Sequence, residues 1–156
     1  MDRQDLTRLV EAVSVNQAVD SLSRFLAPEM WDVLAGCLAP RRLEQGSVLI
    51  GQGTIDRTVF LVESGMLRVQ YLKPDAELEI ALLGPGSVVG EGAFFSNIPR
   101  NATVQATQPS VLWALTPVRF NELAKSDSAS ALTIAMALGA ILSTRMLDIS
   151  RKVSIT

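Results

Sequence analysis

The chain has 156 residues, 48% of them hydrophobic and 19% charged, enough to bury one core, so a single domain is expected. Fourteen basic against sixteen acidic residues leave a net charge of −2 with no block of like charge, which argues against a nucleic-acid groove or an anionic membrane as the main partner. Histidine is absent and Cys37 is the lone cysteine, which removes His-containing metal sites, Ser-His-Asp and Cys-His nucleophilic pairs, and intramolecular disulfides.

Charges at Asp2, Arg3, Asp5, Arg8, Glu11, Asp20, Arg24 and Glu29 leave no apolar core of signal-peptide length, so a cytoplasmic protein is expected. Residues 5–38 read as helical. Leu6, Leu9, Val10 and Val13 recur at i, i+3, i+4 and i+7, and Pro28 opens a second helix carrying Trp31, Leu34 and Leu38, which Pro40 closes. Within this stretch Cys37 sits among Val33, Leu34 and Leu38, the setting of a buried thiol.

From Arg41 to about Leu115 the period changes to two and Gly and Pro recur at short intervals. The strand candidates are Val48 to Ile50, Thr58 to Val62, Leu67 to Tyr71, Leu78 to Leu82, Thr103 to Ala106 and Val111 to Leu115. Ser64-Gly65 and Pro74-Asp75 supply tight turns, and Gly84-Pro85-Gly86 a sharper corner. Brief strands at this spacing predict a closed sandwich or barrel. Glu77 and Glu79 share one strand face, a spacing that superficially resembles a glycosidase pair. With Leu78, Ile80 and Leu82 expected to face inward, they read instead as a solvated face.

After Pro117 the helical period returns through Phe120, Leu123 and Ala124. A long segment follows with Leu132, Ile134, Met136, Leu138, Ile141, Leu142 and Met146, ending near Arg151. Its uncharged run, Ser128 to Thr144, is diluted by hydroxyl residues below what a membrane span requires, so a helix buried against the barrel or facing a second chain is expected. Arg41-Arg42 and Arg151-Lys152 read as surface charge.

The segment from Gly84 to Thr103 gathers small residues, one acid and one arginine. Gly90, Gly92 and Ala93 let backbone amides approach a ligand, and a short helical turn starting near Glu91 would aim N–H groups at an anion. The planar guanidinium of Arg100 can hold two phosphate oxygens, and one fixed cation matches a singly charged phosphodiester. Glu91, an acceptor when ionised, suits the hydroxyl of a sugar joined to that phosphate. As core packing alone, Glu91 and Arg100 would be a buried ion pair closing the barrel.

The ordered set Gly90-Glu91-Gly92-Ala93 followed by Pro99-Arg100-Asn101-Ala102-Thr103 resembles the phosphate-binding cassette of cyclic nucleotide-binding domains. That family includes the catabolite activator protein and the regulatory subunits of cyclic-AMP-dependent kinase. The likeness extends to Gly46, Gln52-Gly53, Val59 to Val62 with Gly65, Leu67 and Val69, Leu83 and Gly86, and downstream to Ala106, Leu112, Phe120 and Leu123. It covers about Phe25 to about Arg145.

The resemblance implies a mainly β fold with flanking helices, a β-roll or jelly roll (double-stranded β-helix) with a long C-terminal helix. Residues 1–24 would form an N-terminal helical segment, 25–150 the cyclic nucleotide-binding domain with its terminal helix at about 128–150, and 151–156 a short tail. It further implies that Glu91 receives the ribose 2′-hydroxyl and that Arg100 pairs with the cyclic phosphate. Gly90, Gly92, Ala93 and Ala102 would line phosphate and sugar, and the last helix would cover the base. The chain departs from the family at Gly92, often a larger aliphatic, and at Asn101, where Ala, Ser or Thr is frequent and Thr is associated with cyclic GMP. The expected ligand is cAMP, with cGMP open.

The function so implied is a non-enzymatic sensor that needs no cofactor and signals to a protein partner through its terminal helix. A non-catalytic scaffold of the same fold with an empty pocket is the alternative. Few residues follow Arg151, so no helix-turn-helix and no direct nucleic-acid binding are expected, nor is membrane binding. A homodimer through the terminal helix and a monomer that folds it onto its own barrel fit the sequence equally well.

Overall fold

A computed structural model describes residues 3–155, with side chains defined as far as Asp148. The N-terminal part holds α1 (Thr7–Val15), a 3-10 turn (Leu22–Arg24) and α2 (Met30–Leu34). Eight strands follow: β1 (Ala39–Leu43), β2 (Val48–Ile50), β3 (Val59–Ser64), β4 (Leu67–Lys73), β5 (Ala76–Leu83), β6 (Val88–Val89), β7 (Thr103–Ala106) and β8 (Ser110–Leu115). The helix α3 (Glu91–Ser96) interrupts them between β6 and β7, and α4 (Pro117–Ser126) and α5 (Ser128–Ile155) complete the chain.

The strands form two four-stranded antiparallel sheets, ordered β1-β8-β3-β6 and β2-β7-β4-β5, the expected jelly roll. The period of two explains how one strand serves two cores. On β3, Phe60 and Val62 join Ile50, Leu67, Val104 and Leu112 between the sheets, whereas Val59 and Leu61 join the helices. On β8, Leu112 and Ala114 face inward while Trp113 and Leu115 face the helical layer. Strands buried on both faces read as continuous apolar runs, which Val59 to Val62 do.

The second core lies outside the barrel, where Leu6, Leu9 and Val13 of the N-terminal part belong to the same apolar cluster as Ile134, Leu138 and Ile141 of α5. The helix α5 thus buries one face and leaves Leu132, Met136, Met146 and Leu147 exposed on the other. Over Ser128–Asp148 it is long and apolar enough, at mean hydropathy 1.5, to match a membrane span by length and composition, despite the expectation from its hydroxyl residues. Those hydroxyls cost little within the helix, since Thr133 and Thr144 return theirs to carbonyls four residues back.

Four expectations need correction. The helical region 5–38 is broken, because Asn16 leaves the helix in an extended conformation and uses its side chain to accept from Ala18 N–H and donate to the Pro85 carbonyl. Pro40 lies inside β1, opposite Trp113. It is tolerated because β1 is a sheet edge. Leu78, Ile80 and Leu82, expected inside, are 49%, 60% and 56% exposed. β5 is the other edge strand, and the register breaks at Val69/Gln70. Finally, α5 runs through Ile155, so the helix replaces a tail at 151–155. The side chains of Arg151 and Lys152, and the terminal residues Met1, Asp2 and Thr156, lie outside the described residues.

Candidate functional site

The segment after β6 turns sharply into α3. Gly90 occupies the left-handed region at φ +88°, where a Cβ would stand 2.8 Å from Arg100 Nη1 and 3.0 Å from the Thr58 carbonyl oxygen. The helix is short and ends at Asn97, also left-handed, whose N–H donates to the Ala93 carbonyl. Arg57 donates twice to the Phe94 carbonyl, placing a cation at that C-terminus. The returning chain is pinned by backbone bonds from Arg100 N–H to the Thr54 carbonyl and from Gly53 N–H to the Arg100 carbonyl.

Arg100 is buried. Its Nη1 donates to the Gly90 carbonyl at 2.9 Å and its Nη2 to the Thr58 carbonyl at 2.6 Å, with Asp56 Oδ2 3.6 Å away. Its Nε is buried with no partner. Burial pulls the guanidinium pKa down, against the opposing pull of Asp56 and Glu91. Glu91 is also buried but does not pair with Arg100, so the barrel is not closed by an ion pair between them. Its Oε1 accepts from Arg145 Nη1 of α5 at 2.6 Å. Arg145 further donates from Nε to Asp20 Oδ2 at 2.8 Å and from Nη2 to the Val88 carbonyl at 2.7 Å. Burial works against its charge, yet the carboxylates of Glu91 and Asp20 outweigh burial and raise its pKa.

These groups surround a cavity of about 330 Å³. All seven residues predicted from the sequence, Gly90, Glu91, Gly92, Ala93, Arg100, Asn101 and Ala102, line it. Asn101 is exposed at its rim. Ile50, Val69, Leu83, Val89 and Val104 supply an apolar wall, and Leu142 and Arg145 reach it from α5. Cations and a carboxylate beside an apolar wall suit a small anion that also carries a hydrogen-bond donor and an apolar group.

A family model for the cyclic nucleotide-binding domain matches residues 40–127. The chain belongs to that family. Two curated relatives match it over a part of their own length. It is 40% identical over 86 residues to the cAMP-dependent protein kinase regulatory subunit of Yarrowia lipolytica, covering 55% of this chain and 22% of that one. It is 37% identical over 86 residues to the acetyltransferase Pat of Mycolicibacterium smegmatis, covering 55% and 26%. The crystal structure of the catabolite activator protein of Thermus thermophilus matches with a TM-score of 0.74 at 27% identity, over 86% of this chain and 62% of that one. The domain therefore spans only about a quarter of the length of the two curated relatives.

Sequence reasoning missed Arg145, Asp20, Asp56 and Thr58. Thr58 contributes a carbonyl, which carries no side-chain signal. Arg145 has one: it is the first charge after the uncharged run Ser128 to Thr144 and falls at helical spacing from Leu138 and Ile141, and a charge carried on a buried face needs a partner.

Proposed function

We propose that this domain is a non-catalytic regulatory module. It takes a cyclic mononucleotide, cAMP in first place, in the cavity between α3 and α5, and passes the event to a protein partner through α5. The observation that carries this reading is the convergence of Glu91, Arg100 and the small cassette residues on one cavity that α5 closes with Leu142 and Arg145. Arg100 would meet the cyclic phosphate and Glu91 the ribose 2′-hydroxyl. Ser96, the hydroxyl in the cavity wall, donates to the Gly92 carbonyl and belongs to no nucleophile–base pair among the described residues.

A ligand that prefers one packing of α5 would shift the equilibrium between packings by its difference in affinity for them. The exposed Leu132, Met136, Met146 and Leu147 give the helix a face for a protein partner or a second copy of the chain. The setting proposed is the cytoplasm, with no cofactor and no direct contact to nucleic acid or membrane.

Titration calorimetry and thermal unfolding with cAMP and with cGMP test the reading. Saturation at a hundred times Kd should stabilise the fold by about 2.7 kcal/mol. Absence of both heat and shift with either nucleotide favours the second reading, a non-catalytic scaffold with an empty or degenerate pocket. What speaks for that alternative is that Arg100 and Glu91 already have protein partners.

A further inference from the structure

We infer that Gly92 sets the affinity of the cavity, by keeping α3 incompletely formed until a ligand is bound. The inference rests on the cyclic nucleotide reading and adds an affinity-determining residue to it. A glycine inside a folded chain serves a left-handed backbone, a close approach by a neighbour, or local freedom of the chain. The first two do not apply within the protein. Gly92 is not among the glycines of positive φ, and a Cβ added to it would meet nothing within 4 Å beyond its own turn of helix.

The helix around it is weak by itself. α3 has six residues, well below the length at which an isolated helix is stable. Its N-cap, Gly90, supplies no side-chain hydrogen bond, and its C-cap, Asn97, holds a left-handed conformation at φ +53°. Gly92 takes the second of the six positions, where glycine lowers the helical population up to about fivefold relative to alanine. The structure holds α3 at a few points: Phe94 packs edge-on to Phe120 of α4 with ring centroids 5.0 Å apart, Arg57 donates to the Phe94 carbonyl, and Arg145 reaches Glu91.

Glu91, Gly92, Ala93 and Ser96 all line the cavity, so forming α3 and completing the cavity wall are one event. A site that is complete in only a fraction of molecules binds with an affinity reduced by that fraction. The glycine thus weakens binding of every cyclic nucleotide alike, without touching any of them, and moves the response of the site to higher ligand concentration.

The test compares Gly92→Ala with the unmodified protein by calorimetry with cAMP and with cGMP and by amide hydrogen exchange, all on the whole chain. One methyl group takes little of a cavity of about 330 Å³. In the variant both nucleotides should bind about two- to fivefold more tightly, at an unchanged ratio of cAMP to cGMP affinity. In the free variant the amides of Phe95 to Asn97, the last of them bonded to the Ala93 carbonyl, should exchange more slowly by a similar factor, while those of α4 exchange as before. Unchanged affinity, with or without slower exchange, would show that forming α3 does not limit binding and would overturn the inference alone. Tighter binding with unchanged exchange would assign the gain to a contact of the methyl group, and weaker binding would show that the ligand needs the space a Cβ fills. Either result overturns it as well. If the unmodified protein binds neither nucleotide, the cyclic nucleotide reading itself fails, and the inference with it.

Discussion

Arg100 donates from Nη1 to the carbonyl of Gly90, so the cation expected to meet a phosphate also fastens the corner from which the cassette helix starts. On the proposed reading, recognition and fold share one side chain. Replacing it should therefore show in two measurements. Arg100→Ala leaves the Gly90 and Thr58 carbonyls without their donor, at a cost of about 2–4 kcal/mol in urea unfolding. It should also weaken cyclic nucleotide binding by a hundredfold to about a few thousandfold. Arg100→Lys keeps the charge but cannot reach both carbonyls, and should lose less in each measurement.

Two glycines of the cassette should respond in opposite directions. At Gly90, with φ +88° and the Thr58 oxygen 3.0 Å from any added Cβ, alanine should destabilise by about 1–3 kcal/mol. At Gly92, inside α3, a Cβ meets nothing within 4 Å, so alanine should raise stability by up to about 1 kcal/mol through helix propensity. Thermal unfolding of the two variants checks both signs.

The legibility of this fold differed by element for physical reasons. Val59 to Val62 and Val111 to Leu115 were plain because strands buried on both faces carry dense apolar runs. The strand β6 was not, since two residues set no period. Ala39–Leu43 hid behind Pro40, whose reading as a terminator is sound for helices and irrelevant at a sheet edge. The alternation from Glu77 to Leu82 was visible, but which face turns to solvent is set by the edge position and the bulge at Val69/Gln70, both tertiary facts. At the site, all seven cassette residues were legible because the loop is local in sequence. Arg145 lies 54 residues beyond Glu91 in the chain and reaches it only once α5 is docked.

Asp127 caps α5, accepting from the Ser130 N–H at 3.1 Å and from its hydroxyl at 2.6 Å. The side-chain bond from Ser130, and then the backbone one, hold the carboxyl below its ordinary pKa. A carboxyl depressed in the folded state stabilises above its unfolded pKa, and that contribution disappears as pH falls through the folded one. Asp127→Ala should lower Tm by a few degrees at neutral pH. The difference from the unmodified protein should shrink in acid, as unfolding scans at stepped pH would record.

Cys37 is 7% exposed, and burial pushes its thiol pKa up, with Arg119 opposing weakly. A thiol both shielded and short of thiolate reacts slowly. An aromatic disulfide reagent should label the native protein at least about tenfold more slowly than the urea-unfolded chain, with one equivalent released at completion. Rapid native labelling would place Cys37 in a mobile part of the helical layer.

The outward ribbon of Leu78, Ile80 and Leu82 lies on a strand whose far side has no neighbour. Such a border invites another copy to add itself edgewise, and the interspersed Glu77 and Glu79 supply the deterrent, because an antiparallel twin would bring like charges face to face. The carboxylate pair whose spacing resembles chemical machinery is, on this edge, better placed to discourage such pairing. Screening ions, which shorten the reach of charge to about 3 Å near 1 M, are what would disarm it.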